Sequence, residues 1–389
     1  MVLLTPAVFA AINFDYLIVG GGTAGLTVAT RLSENAKISV GVIEAGGDRT
    51  DDPLILTPGF VLSTFNNPLY DWAFETTPQV HANDRVIGHP RGKQLGGSSA
   101  INYLYWTHAS QRDINDWGKL GNKGWSWDEL APYFKKSEKY NAPTADISNQ
   151  IDTSFIDPSV HATNGPVQDS FPPFYDNFYK SWEPTYKKLG IGPTGDPRGG
   201  LAIGAYSTLI SQDPKLASRS YSANAYWKPN SARPNLHVIT GAQATKINFE
   251  GEKEPLRASG VDFVVGGKSY TAHAKREIIL SAGTFQSPQL LELSGIGDSK
   301  ILKKQGIEVL VNSPGVGENL QDHLLVPLTY EAAKGEGTFE SFRDPAVAAS
   351  AAELYTANHT GPLAGNTCNS YISFAQTLKG VGGTYLSKS

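Results

Sequence analysis

The sequence predicts an α/β fold in which a parallel β-sheet is interleaved with a second, α+β domain. Residues 14–19 form a short apolar run that ends at glycine, residues 23–35 have apolar positions at helical spacing, and residues 38–43 form a second apolar run. A βαβ unit of this kind closes with a right-handed crossover and parallel strands. Residues 141–213 are instead rich in Pro, Gly, Asp and aromatic residues, which favours a separate domain.

The second half of the chain is expected to return to the sheet. Short apolar runs bounded by turn residues predict strands at 236–240, 244–249, 260–265, 269–272 and 277–282. Helices are predicted at 219–226 and in the second half of 117–140, where apolar side chains share one helical face. The first domain is therefore expected to resume after residue 213.

Composition excludes several classes of protein. The chain has 389 residues, enough for two domains, and a formal net charge of -4 with no cluster of Lys and Arg, so nucleic-acid binding is not expected. The single cysteine, Cys368, excludes an internal disulfide framework and a cysteine-rich metal site. No apolar run is long enough to span a membrane. Neither a metal nor a protein partner is indicated by the sequence.

The N-terminus leaves two alternatives open. Residues 2–11 are apolar and end in small residues, as in the remnant of a secretory signal, but they lack a basic region and also suit an apolar N-terminal arm. The triplet Asn358-His359-Thr360 matches the acceptor pattern for N-glycosylation. Together these features lead us to expect a secreted protein.

A glycine turn at residues 20–25, with the sequence GGGTAG, follows the first predicted strand and opens the first predicted helix. In this context Gly20 permits a tight turn, Gly22 lets the backbone approach a pyrophosphate, and Gly25 lets the helix pack closely on the strand. The helix N-terminus then presents its positive end to the phosphates. Glu44, at the end of the second strand, can accept hydrogen bonds from ribose hydroxyls. The pattern predicts dinucleotide binding.

Two longer motifs narrow this prediction. Residues 92–102, GKQLGGSSAIN, form a second glycine loop, and this segment, extended through Asn115, resembles the first signature of the glucose-methanol-choline (GMC) oxidoreductases. Residues 283–297, GTFQSPQLLELSGIG, are similar to the second signature of that family. The resemblance covers almost the whole chain from Asn13 onward.

The resemblance implies an α/β fold with an FAD-binding Rossmann-like parallel sheet (13–140 and 214–325) and an interleaved α+β substrate domain (141–213 and 326–389, incomplete). It implies FAD in an extended pose, and it places Ala244 near the adenine. Because Ile101 stands where some relatives carry a histidine that bonds the flavin, noncovalent FAD is expected. The implied cofactor-binding residues are Gly20, Gly22, Thr23, Ala24, Gly25, Glu44, Ala45, Gly92, Gly96, Gly97, Ser98, Asn102, Ala244 and Gly283.

Family membership would imply an enzyme that moves a hydride from an alcohol carbon to the flavin, with reoxidation by oxygen. The proton-accepting histidine of the family comes from a C-terminal segment that the 389 residues do not contain, so we expect a truncated chain, assign no catalytic residue and expect poor solubility. His108 and His323 are interpreted as packing and turn residues. A flavin-containing lyase or cyclase and a noncatalytic FAD-binding fragment remain as alternatives.

Overall fold

The computed structural model describes residues 4–201, 203–251, 255–323, 325, 328–336, 338–365 and 371–374. Its strands are β1 Asn13–Val19, β2 Val40–Ile43, β3 Phe74–Glu75, β4 Gly88–His89, β5 Glu138–Tyr140, β6 Val167–Asp169, β7 Gly204–Ser207, β8 Gln212–Asp213, β9 Ser218–Arg219, β10 Leu236–Ile239, β11 Gln243–Glu250, β12 Arg257–Val265, β13 Lys268–Leu280, β14 Ile296–Gly297, β15 Val311–Asn312 and β16 Tyr371–Phe374. Its α-helices are α1 Pro6–Ala11, α2 Thr23–Leu32, α3 Pro53–Leu56, α4 Gln111–Lys119, α5 Trp127–Ser137, α6 Ala145–Ser148, α7 Asn177–Lys188, α8 Gly283–Leu293, α9 Ser299–Lys304 and α10 Pro345–Asn358.

The chain divides into two compact units. Unit 1 contains the described residues within Met1–Ile55, Ser63–Asn102 and Tyr221–Glu331, and unit 2 those within Leu56–Leu62, Tyr103–Ser220 and Ala332–Ser389. The chain thus leaves unit 1 after Asn102, whereas the sequence interpretation placed this step after residue 140. Helical spacing in 117–140 shows that a helix forms there, but it contains no information about which core the helix covers.

Unit 1 is built on a six-stranded sheet with the order β10-β2-β1-β13-β12-β11. The first four strands are parallel neighbours and the last two are antiparallel. The predicted βαβ unit is present as β1, α2 and β2, with α2 ending at Leu32 rather than at residue 35. The fold is therefore α/β with a mixed central sheet, and its parallel part contains β1, which the glycine turn at residues 20–25 follows.

Strand β13 is a single strand of 13 residues where the sequence suggested two. Its first part pairs antiparallel with β12, with Ala272 opposite Val261, and its second part pairs parallel with β1, with Ile278 opposite Leu17. The two predicted strands, 269–272 and 277–282, leave residues 273–276 between them. In the structure Lys275 and Arg276 are exposed and lie where the register with β1 shifts, between the pairs Phe14–Ala274 and Tyr16–Glu277. A bulge of this kind lets one strand continue past residues that are not paired in the ladder.

The core of unit 1 lies between α1 and the sheet. Phe9, Phe14 and Phe263 are each 0% exposed, and the ring of Phe9 lies 4.9 Å from that of Phe14 and 6.0 Å from that of Phe263. Residues 6–11 thus form a helix whose one large aromatic side chain belongs to the core, which favours the apolar-arm alternative for this segment.

Unit 2 has short strand pairs in place of a large sheet. β5 pairs with β6 in parallel, and β7–β16 and β8–β9 are antiparallel pairs. Buried aromatic and aliphatic side chains form its core: Tyr140, Ile151, Phe171, Tyr175, Tyr179 and Leu209. Trp106 packs against this cluster.

The prediction of a helix at 219–226 is wrong about the type of helix and about the residue at which it starts. Residues 218–219 form β9, and the helical segment is a π-helical turn at Ala223–Trp227. None of the helices in the described parts of the chain combines the length and apolar character that a membrane crossing requires. Cys368 lies outside the described residues.

Candidate functional site

The turn between β1 and α2 is compact because it has no side chains. Gly20 has a φ of +99°, in the left-handed region, and its N–H donates to the carbonyl of Ile43 at 2.8 Å. A Cβ on Gly25 would lie 1.9 Å from the carbonyl oxygen of Gly20. The turn therefore requires glycine at both positions, and it presents the N-terminus of α2, capped by Gly22, at the end of the parallel strands.

The second glycine loop lies directly against the first. The N–H of Gly96 donates to the carbonyl of Gly21 at 2.9 Å, and a Cβ on Gly97 would lie 2.8 Å from Cα of Gly22. Residues Gly97–Ala100 form one 3-10 turn. The two loops thus form one backbone surface, with few side chains, and such a surface suits a ligand that needs close approach to the main chain.

Glu44 lies at the end of β2 beside both loops. Its Oε2 accepts from the N–H of Gly21 at 2.8 Å and its Oε1 from the N–H of Gly46 at 2.7 Å. Burial of the side chain raises its pKa to about 7, although the two backbone hydrogen bonds act in the opposite direction. Each oxygen keeps a further lone pair, so the carboxylate can still accept hydroxyl donors from a ligand.

These elements line a cavity of about 810 Å³ in unit 1, within the usual range for small-molecule and cofactor sites. Helix α8, from Gly283 to Leu293, and the start of β11 form another part of its wall. Aromatic side chains contribute as well: Trp72 stacks on Phe74 with ring centroids 5.9 Å apart and an interplanar angle of 6°, and Phe285 lies 5.4 Å from Phe74. The guanidinium of Arg91 lies over Phe285 at 5.3 Å.

The structure brings most of the residues proposed from sequence into this cavity. Three of them do not line it: Gly25 packs against the turn, Gly96 against the ring of Tyr221, and Asn102 lies outside the lining. The lining includes Gly20, Gly22, Thr23, Ala24, Glu44, Ala45, Gly92, Gly97, Ser98, Ala244 and Gly283.

The sequence interpretation missed the aromatic part of the wall. Trp72 and Phe74 come from residues 48–90, a stretch rich in Asp, Pro, Asn and Thr with few periodic segments, and Arg91 follows it directly. Phe285 lies within the second long motif, of which only Gly283 was assigned a role. The one available signal was the short spacing of two aromatic residues, Trp72 and Phe74, in an otherwise polar stretch.

Three of the histidines occupy structural positions. The ring of His108 contacts the rings of Trp127 and Phe134 edge-on, and burial lowers its pKa to about 3, so it is neutral and packed. His89 lies 3.5 Å from the carboxylate of Asp322. His161 was not singled out from sequence, and in unit 2 it lies between two buried carboxylates.

Comparison with protein families gives one match over most of the chain. Residues 14–325 match the family model described as GMC oxidoreductase. A curated relative, a protein named dehydrogenase mpl7 from Monascus purpureus, is 42% identical over 365 residues, which cover 92% of this chain and 58% of the relative.

The solved structures that this chain resembles include further oxidoreductases. A structure titled FAD-dependent oxidoreductase from Chaetomium thermophilum has a TM-score of 0.81 at 31% identity, covering 93% of this chain and 61% of that one. A structure titled as a new fungal aryl-alcohol oxidase has a TM-score of 0.76 at 27% identity, covering 91% and 60%. The chain therefore spans about three fifths of the length of these relatives.

Proposed function

Because the chain belongs to the GMC oxidoreductase family, we propose that it binds FAD noncovalently in the cavity of unit 1 and serves the oxidation of a small alcohol. In the proposed reaction the alcohol carbon loses a hydride, its hydroxyl loses a proton, and molecular oxygen receives the electrons. The observation that supports the proposal most directly is the joining of two glycine loops, one helix N-terminus and Glu44 in one cavity.

The residues of the cavity fit this cofactor. Gly22 leaves the backbone open where a pyrophosphate would need close approach, since a Cβ on Gly22 would have only the Cα of Gly97, at 3.7 Å, as a neighbour. The N-terminus of α2 supplies N–H donors and a positive end for the phosphates. Glu44 offers free lone pairs to ribose hydroxyls, and Ala244 lines the cavity at β11, where we propose the adenine lies.

When bound, FAD would supply the acceptor for the hydride. The chain's own residues would bind and orient it: the loops hold the phosphates, Glu44 the ribose, and Ile101 offers no nucleophile for a covalent bond to the flavin. Among the described residues we assign no proton-accepting base, and we propose that this group belongs to the part of the relatives' length that the chain does not span.

The proposal is tested in two stages, first by binding of FAD and then by reaction of the bound flavin with alcohols. The purified chain is incubated with FAD, desalted and examined for a yellow flavin spectrum; a panel of primary, secondary and aromatic alcohols is then added without oxygen. Bleaching that reverses in air supports an alcohol oxidase. Turnover without bleaching would favour the lyase or cyclase alternative. A yellow protein inert to every alcohol would favour a noncatalytic FAD-binding fragment, and a colourless chain with no affinity for FAD would contradict the proposal.

A further inference from the structure

Five ionisable side chains of unit 2 form a buried charge cluster apart from the cavity of unit 1. They come from β5, β6, the residue after a 3-10 turn at Pro158–Val160, and a second 3-10 turn at Pro197–Gly199 with its N-cap. Their exposed fractions lie between 0% and 8%. The members are Glu138, His161, Asp169, Asp196 and Arg198.

The imidazole of His161 joins two carboxylates. Its Nδ1 lies 2.9 Å from Oε1 of Glu138 and its Nε2 lies 2.9 Å from Oδ2 of Asp196. Carboxylates only accept hydrogen bonds, so both ring nitrogens must carry hydrogen and the ring must be a cation. Burial by itself would lower the pKa of His161, but the bonds to Asp196 and Glu138 raise it to about 9.

Arg198 supplies the second cation of the cluster. Its Nε lies 3.0 Å from Oε1 of Glu138, and the other oxygen of Glu138 accepts from the N–H of Ala162 at 3.0 Å. Burial would raise the pKa of Glu138, but His161 and Arg198 together bring it to about 2. Two cations and two carboxylates therefore balance without Asp169.

Asp169 is the fifth member and has no compensating charge. It is 0% exposed, and neither of its carboxylate oxygens has a hydrogen-bond partner as an acceptor. It faces Glu138 and Tyr140 on β5, together with His161 and Arg198. Burial, followed by the negative charge of Glu138, raises the pKa of Asp169 well above its usual range. A buried, uncompensated carboxylate is costly, so it takes up a proton or a cation.

The geometry favours the proton over a metal ion. Glu138, His161 and Asp169 each place one possible ligand atom within 4.8 Å of the others. A metal-bound histidine must have a free ring nitrogen, however, and both nitrogens of His161 are engaged by carboxylates. The guanidinium of Arg198, already at Glu138, would repel a further cation. A proton on Asp169 instead needs only one acceptor, and Glu138 is beside it.

We propose that Asp169 is a neutral carboxylic acid whose proton is shared with Glu138, and that this proton makes the stability of unit 2 sensitive to pH. The unfolded chain releases the proton above the ordinary pKa of aspartate, near 4. The folded chain has to retain it. Stability is therefore lost as the pH rises above about 4, by up to tenfold in the folding equilibrium per pH unit, until Asp169 ionises in the folded state.

The variant Asp169→Asn tests this, because an amide keeps a hydrogen-bond donor toward Glu138 and cannot ionise. Urea unfolding of the whole chain is compared between pH 4 and pH 8, with Glu353→Gln, an exposed carboxylate of α10 in unit 2, as the matched control. We expect the folding equilibrium of the variant to exceed that of the parent by a ratio that grows with pH, and the control to show no such trend.

The same measurements distinguish a protonated Asp169 from an ionised Asp169 and from a cluster that binds a divalent cation. If Asp169 is instead ionised and stabilised by Arg198, the variant is weaker than the parent throughout this range, and the ratio of the two folding equilibria does not grow in its favour as pH rises. If a divalent cation occupies the cluster, EDTA lowers the unfolding midpoint of the parent and Mn²⁺ restores it, while the variant is weaker at every pH. Either result overturns the proposal.

A second measurement does not depend on stability. At pH 7 the infrared difference spectrum of the parent minus Asp169→Asn should contain the C=O stretching band of a protonated carboxylic acid, shifted in D₂O. Glu44, with its pKa of about 7, is partly protonated in both proteins and cancels in the difference. A difference spectrum without that band would contradict the proposal even if the unfolding curves agreed with it.

Discussion

Gly22 and Gly25 lie three residues apart in one turn, yet the structure requires them for different reasons. A Cβ on Gly25 would collide with the carbonyl oxygen of Gly20 at 1.9 Å, whereas a Cβ on Gly22 would have only Cα of Gly97, at 3.7 Å, as a neighbour and would point into open space. Gly25 is therefore required for packing within the turn. Gly22 is required so that a ligand in the cavity can approach the backbone closely.

This difference predicts opposite effects of two alanine substitutions. Gly25→Ala should lower the free energy of unfolding by about 3 kcal/mol, as overpacking does. Gly22→Ala should cost the FAD-free chain no more than about 1 kcal/mol, the scale of an alanine N-cap, but weaken FAD binding by about tenfold or more. Urea unfolding and flavin fluorescence titration measure the two quantities.

Gly47→Ala is the matched control, since a Cβ at Gly47 meets nothing within 4 Å and the residue does not line the cavity. It should change stability by less than about 0.5 kcal/mol and leave FAD binding intact. Normal FAD affinity in Gly22→Ala would show that the pyrophosphate does not lie at this turn.

The raised pKa of Glu44 predicts that the affinity for FAD depends on pH. Its pKa of about 7 means that the carboxyl group is protonated in more acid solution. If ribose hydroxyls donate to it, binding favours the ionised form. Affinity should then be constant above pH 7 and fall by up to about tenfold per pH unit below it.

Titrations from pH 5 to pH 8.5 check this dependence. Glu44→Gln should bind FAD more weakly at high pH, with a flatter profile, while Glu308→Gln, an exposed carboxylate of unit 1, should keep the parental profile. A parental affinity that does not change between pH 8 and pH 5 would rule out this role for Glu44.

At the scale of elements, β13 decides the architecture of unit 1. It joins the antiparallel strands β11 and β12 to the parallel strands β1, β2 and β10, and it delivers Gly283 and α8 to the cavity. Helix α1 covers the antiparallel side of this core through Phe9, which packs on Phe14 and Phe263. The short N-terminal helix is thus part of the fold.

Phe9→Ala should lower the free energy of unfolding by about 3–5 kcal/mol, the usual cost of removing a buried phenylalanine. Val8→Ala, one residue away in the same helix and 50% exposed, should cost less than about 1 kcal/mol. Chemical denaturation of both variants measures the difference. Equal, small effects would show that α1 does not belong to the cooperative core.

At the scale of the whole molecule, the chain has two interleaved units and a formal net charge of -4. The glycine loops and their cavity belong to unit 1, and the buried charge cluster belongs to unit 2. Secretion remains a proposal at this scale, and it rests on one glycosylation triplet, since Phe9 of the apolar N-terminal segment belongs to the core of unit 1.

That triplet gives the test of secretion. Asn358 is the last residue of α10 and is exposed, so we expect a glycan there when the chain is routed through a yeast secretory pathway. Peptide N-glycosidase F should then lower the mass of the product. Asn358→Gln should remove this effect and Thr360→Ser should retain it. A secreted product of unchanged mass would contradict the prediction.

The sequence by itself determined the βαβ unit, both glycine loops and Glu44, because each depends on local spacing or on a backbone conformation that only glycine adopts easily. The tertiary structure alone decided the continuity of β13, the aromatic wall from Trp72, Phe74 and Phe285, and the buried charge cluster. Asp169 shows the reason: within its own segment it resembles a surface carboxylate. Only the packing of distant segments removes it from water and leaves it to hold a proton.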